Sequence, residues 1–143
     1  MKMVTKVAVI GMGYVGIPIA ALLADTGFFQ VTGVQRRSKR SGWKIDYLNA
    51  GKCPIKNEPE LPELIERVVL QKKTFSVTDD ISVVKDMDYV LIDVQTPTDD
   101  NNIPQYVSLR EVSREVGTHL SKGSTVIIES TCAPSLNNAS TSD

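Results

Sequence analysis

Apolar and polar positions along this chain change period again and again. Residues 4–10 form a short apolar run, the mark of a buried strand. Residues 14–26 switch to helical spacing, with Val15, Ile19, Leu22 and Leu23 on the predicted inner face; Gly27 stands where a left-handed residue ends a helix. Residues 31–35 read as a second strand. Two helical stretches, 43–49 and 61–72, flank a loop holding Cys53, Pro54 and Pro59. A third strand is predicted over 74–78 and a short helix over 80–85. Residues 89–94 are almost wholly apolar, as a central strand covered on both faces would be. Residues 96–106 are rich in Pro, Asp and Asn and read as a long loop. Ser108-Leu109-Arg110-Glu111 fits a capping box, with Val112, Val116 and Leu120 recurring behind it. Residues 125–128 form a fifth strand.

Strands alternating with helices predict a Rossmann-type, doubly wound parallel sheet of about five strands. The expected domain is 1–134. Residues 135–143 are small and polar and are expected to be a disordered tail. No sixth strand is legible, so the sheet is expected to be truncated, with an apolar edge left open.

Bulk properties narrow the partners. A formal net charge of −1 over 143 residues and a pI of about 5.8 create no field that favours nucleic acid or an anionic membrane. No apolar run approaches the ~20 residues of a membrane helix, and the first residues carry no cleavage pattern. Two cysteines make no disulfide framework. The expectation is a cytoplasmic protein without nucleic-acid or membrane partners; self-association stays open.

The chemistry begins at Gly11-Met12-Gly13-Tyr14-Val15-Gly16, a G-x-G-x-x-G turn between the first strand and the first helix. In that setting Gly11 permits the tight turn, Gly13 lets backbone approach a pyrophosphate, and Gly16 brings helix and strand together. The helix start then offers N–H groups and a positive dipole end to phosphate. Open parallel sheets bind ligands beyond the carboxyl ends of their strands. Gln95-Thr96-Pro97 and Glu129-Ser130-Thr131 should converge there with the glycine turn, and Thr96 and Thr131 can each present a hydroxyl.

The tip of the second strand departs from the usual pattern. An acid commonly accepts ribose hydroxyls there, but this chain has Gln35, nineteen residues after Gly16, followed by Arg36 and Arg37. Gln does not repel a 2′-phosphate, and arginines can grip one. NAD and NADP both stay open, as does a merely solvated basic loop. No metal site is legible: Cys53, Cys132 and His119 lack metal-site spacing, and no base accompanies either cysteine. His119 is expected to face the last carbonyls of its helix.

Four motifs together resemble the nucleotide-sugar 6-dehydrogenases, which oxidise UDP-glucose, UDP-N-acetylmannosamine and related sugars. They are Gly11 to Pro18; Leu48-Asn49-Ala50-Gly51 with Pro54-Ile55 and Glu58-Pro59; Val94-Gln95-Thr96-Pro97; and Val126 to Thr131. The likeness covers roughly residues 3 to 134 and only the cofactor-binding part of that family; its texture is nearest the N-acetylmannosamine branch. It implies NAD, a nucleotide-sugar substrate, and two hydride transfers that carry a C6 alcohol through an aldehyde to a carboxylate. It also implies a thiolate, a lysine and an asparagine from a later region, so this chain alone is expected to be inactive. Residue by residue, the likeness places Tyr14 and Val15 at the pyrophosphate and Gln35 at the ribose. Thr96, with Pro97, falls beside the cofactor, and Thr131 near the reacting centre as the one catalytic candidate. Gln35 in place of the family's acid, and Cys132-Ala133-Pro134 after Thr131, are departures. A dinucleotide-sensing module without chemistry fits the lack of a catalytic Cys, Lys or His set equally well, whereas Gly13-Tyr14-Val15-Gly16 and Val94-Gln95-Thr96-Pro97 count against a third reading, a Rossmann dehydrogenase of hydroxyacid type.

Overall fold

The computed structural model describes residues 4–132; the expected tail at 135–143 lies outside them. Five strands form one sheet, parallel throughout: β1 (Thr5–Ile10), β2 (Phe29–Val34), β3 (Phe75–Thr78), β4 (Tyr89–Ile92) and β5 (Thr125–Ile128), in the order β3-β2-β1-β4-β5. This is the Rossmann-like arrangement expected. The chain winds outward from β1 through β2 to β3, then returns to lay β4 on the other side of β1. That reversal between β1 and β4 opens a crevice at the carboxyl ends of both strands.

Alternation along the strands divides the core between two faces. Val7 and Val9 of β1, with Val31, Phe75, Val77 and Leu91, meet α1 (Gly16–Asp25), α2 (Trp43–Asn49) and α3 (Leu61–Glu66). Ala8 and Ile10, with Val34, Val90 and Ile92, meet a 3₁₀ turn (Ile81–Asp86) and α4 (Val107–His119). α3 runs on into a π turn at Arg67–Gln71. Arg67 and Lys72 at its end both reach the Asp25 carboxylate, at 2.9 and 2.7 Å, which ties α1 to that turn.

Three local expectations need correction. α1 buries Ile17, Ala20, Ala21 and Ala24 rather than Val15 and Leu22, which are 56% and 60% exposed; Ile19 and Leu23 lie at the edge of the cluster. The reason is proximity: a Cβ at Gly16 would stand 1.9 Å from the Gly11 carbonyl oxygen, so beyond Ile17 the buried face of α1 is made of Ala20, Ala21 and Ala24. Ser108 does not cap α4, whose N-cap is Tyr106; Ser108 falls inside the first turn. Tyr89 is exposed, so burial in β4 begins at Val90.

Gly27 holds to expectation, with φ +80° just past α1. Asp80 caps the 3₁₀ turn by accepting the Ser82 N–H at 3.0 Å. Among the described residues β5 is the edge strand opposite β3, and it exposes Val126 and Ile127.

Candidate functional site

The glycine turn is built by three different constraints. Gly11 has φ +105°, and a Cβ there would meet the Asp93 carbonyl oxygen at 2.3 Å. Its N–H donates to the Val34 carbonyl at 2.9 Å, which bends the chain away from β1. Gly16 is the close approach of helix to turn described above. Gly13 is neither strained nor crowded: nothing lies within 4 Å of where its Cβ would be. The start of α1 has no side-chain cap and no acid in its first turn. The Ile17 N–H donates to the Gly13 carbonyl at 3.1 Å, and this end of α1 carries the positive end of the helix dipole.

Beside this turn lies a cleft of about 570 Å³ at the carboxyl ends of β1, β2 and β4, within the range of small-molecule sites. Gln35 forms its inner corner. The side-chain Oε1 accepts the Met12 N–H at 3.1 Å, and Nε2 donates to Ser41 Oγ at 3.1 Å. Lys44 Nζ donates to the Met12 carbonyl at 3.0 Å from the α2 side. Arg36 spans from the tip of β2 to α4, with its two terminal nitrogens 3.2 Å from Glu111 and 2.7 Å from Glu115. Arg37 turns the other way, to Asp79 at 3.0 Å and Asp46 at 3.6 Å.

Asp93, just past β4, forms the far end. Its Oδ2 is buried and accepts no hydrogen bond from the described residues. Burial first, then a hydrogen bond shared with Glu129 and that group's charge, push Asp93 up to about 7. Lacking a donor, the ionised oxygen is disfavoured, so the protonated form of Asp93 is favoured. Ser130 Oγ donates to the Val94 carbonyl at 2.8 Å, holding the end of β5 against that of β4.

Gly11, Gly13, Gln35 and Arg36 thus line one cleft. Tyr14, 78% exposed, and Val15 stand at the start of α1, while Gly16 packs beneath it. Thr96 is half-buried and Pro97 exposed in the loop after β4, where the Pro97 carbonyl accepts the Gln105 N–H at 2.7 Å. Thr131 is exposed beside Ser130. Neither threonine nor Arg37 lines the cleft. Sequence reasoning missed Asp93, Asp79, Ser41, Trp43 and Glu115 as lining residues. An Asp inside an apolar run was the one available signal, at Asp93. Cys53 donates its thiol to the Ile55 carbonyl, and Cys132 packs against the α4 side of the core. No group of three His, Cys, Asp or Glu side chains among the described residues is arranged to hold a metal ion.

Comparison with known proteins completes the description. Residues 5–142 match the NAD-binding domain of the UDP-glucose/GDP-mannose dehydrogenase family. The UDP-N-acetyl-D-mannosamine dehydrogenase of Pyrococcus horikoshii is 34% identical over 129 residues, which are 90% of this chain and 29% of that protein. The GDP-mannose 6-dehydrogenase of Pseudomonas syringae is 33% identical over 132 residues, with the same coverage of each. Among solved structures, the NDP-N-acetyl-D-galactosaminuronic acid dehydrogenase of Methanosarcina mazei superposes with a TM-score of 0.89 at 42% identity, covering 94% of this chain and 29% of that one. A ternary complex of the GDP-mannose dehydrogenase of Pseudomonas aeruginosa gives 0.81 at 33% identity, with 92% and 30% covered. The chain therefore spans under a third of the length of these relatives. On this match, and on the fold and glycine turn that accompany it, the chain belongs to the UDP-glucose/GDP-mannose dehydrogenase family, as its NAD-binding domain.

Proposed function

We propose that this chain holds NAD for the 6-oxidation of a nucleotide sugar, with UDP-N-acetylmannosamine as the favoured substrate, and that it binds cofactor without turnover when alone. The observation that carries the cofactor reading is Gly13. It has no conformational need to be glycine and no neighbour within 4 Å, yet it stands before an uncapped helix start. Bare backbone at the positive end of a helix dipole is a cradle that a Cβ would fill and a pyrophosphate fits.

In this reading the turn from Gly11 to Gly16 receives the pyrophosphate, with Tyr14 and Val15 over it. Gln35 and Arg36 border the adenosine ribose, and Thr96 and Pro97 border the nicotinamide side. Thr131 lies toward the reacting carbon, where its hydroxyl can orient a substrate oxygen or a water. NAD, when bound, supplies the hydride acceptor. The chain's own residues bind and orient; Asp93, raised by its burial, holds a proton at the far end of the cleft. The sugar assignment is supported by the mannosamine-type texture of the motifs and by the Pyrococcus relative.

Calorimetric titration with NAD tests the first part, and reduced-nicotinamide absorbance with UDP-N-acetylmannosamine and NAD tests the second. Binding without turnover is the expected result. Turnover by the chain alone overturns the claim of inactivity, and absence of NAD binding by a cooperatively folded sample overturns the cofactor site.

A further inference from the structure

The tip of β2 is basic in sequence but not in space. Gln35 occupies the place where an acid usually meets the adenosine ribose, and it offers no charge. Its carboxamide is also engaged, with Oε1 on the Met12 N–H and Nε2 on Ser41. Arg36, the nearest group able to grip a phosphate, has both terminal nitrogens taken by Glu111 and Glu115 of α4. Arg37 is drawn off to Asp79 and Asp46.

We infer that Glu111 and Glu115, acting through Arg36, set the preference for NAD over a 2′-phosphorylated dinucleotide, the part a carboxylate at the tip of β2 commonly plays. The inference rests on the cofactor placement proposed above. A 2′-phosphate entering this corner meets Glu115 and Asp79 as lining groups. The guanidinium that directly follows Gln35, Arg36, is already doubly neutralised. Arg40, which also lines the cleft, offsets part of this acidity. Without the two glutamates, Arg36 and Arg40 would face the same space, and the corner would become an anion site. Charge and geometry therefore act in the same direction.

Both ion pairs are about half exposed, so they add little to stability and can be removed without unfolding α4. The test titrates NAD and NADP separately into the wild-type chain, the E111Q/E115Q variant, and that variant carrying R36A, with thermal unfolding as a folding control. Wild type is expected to bind NAD at least ~10-fold more tightly than NADP. In E111Q/E115Q the NADP affinity should rise by roughly 10-fold while NAD stays within about threefold, and R36A in that background should erase the gain. A wild type that binds both equally, or a ratio that the double variant leaves unmoved, overturns the inference. Binding of neither dinucleotide by a folded sample overturns the cofactor placement itself, and the inference with it.

Discussion

The side-chain oxygen of Gln35 accepts the Met12 backbone N–H at 3.1 Å, so the tip of β2 braces the glycine turn from the side. Met12 is buried and also gives its carbonyl to Lys44, so the peptide units on either side of it are fixed from β2 and α2. Sequence position alone assigns Gln35 to a ligand; its contacts make it first a support for the turn.

Truncating that support should be measurable in both properties. Gln35→Ala leaves the Met12 N–H without its acceptor and should cost about 1 kcal/mol in urea unfolding. NAD affinity should fall as well, because the turn loses its brace. An unchanged affinity would mean that α1 and Lys44 hold the turn unaided.

The last two glycines of the turn have separable uses. Gly13→Ala should leave thermal stability within about 0.5 kcal/mol of wild type, as its Cβ meets nothing, while NAD binding drops by roughly tenfold or more. Gly16→Ala should instead destabilise the fold, since its Cβ would lie 1.9 Å from the Gly11 oxygen. Calorimetric binding and melting curves on the pair decide between phosphate approach and packing.

Asp93 makes stability fall with rising pH. Its folded value of about 7 lies above the ordinary 3.8, so between these values the folded chain keeps a proton that the unfolded chain has released. Stability contributed by that proton is present at the acid end and lost progressively up to about pH 7. Asp93→Asn should flatten this stretch of the melting-temperature profile. A profile identical to wild type would place the titration elsewhere.

Asp25 acts at the opposite end. Hydrogen bonds from Arg67 and then Lys72 hold its carboxyl well below the usual carboxylate range. Its contribution is present above the unfolded value and is lost as acid protonates it in the folded state. Asp25→Asn should lower the melting temperature at neutral pH and shrink the further loss in acid.

The sheet edge offers a solution test. Val126 and Ile127 are exposed on β5, and open apolar edges invite pairing between chains. Ile127→Lys should reduce self-association, read by sedimentation at several concentrations, with little change in melting temperature.

Much of this was legible in the sequence, and the gaps have physical causes. β1, the glycine turn and the alternation of strands and helices follow from period and punctuation within a few residues of each other. The buried face of α1 was misread because Leu22 is more apolar than Ala21, whereas close approach at Gly16 selects by size. The start of α4 was misplaced because Ser108 and Glu111 fit a capping box in spacing, while Glu111 is turned to Arg36. That pair joins residues 75 apart in the chain, and no local pattern announces it. Asp93 is hidden in the same way: only the arrival of β5 beside β4 brings Glu129 to it.

The central position of β1 has a consequence for how the molecule is made. Val7 pairs with Val31 on one side and with Tyr89 on the other. The flank toward β2 and β3 can assemble as the chain emerges during synthesis, while the flank toward β4 must wait for the second half. Until then the strand made first keeps one edge bare, a template for a wrong partner. Substitutions along Tyr89–Ile92 therefore act on the speed and fidelity of folding, since these residues complete the centre of the sheet late.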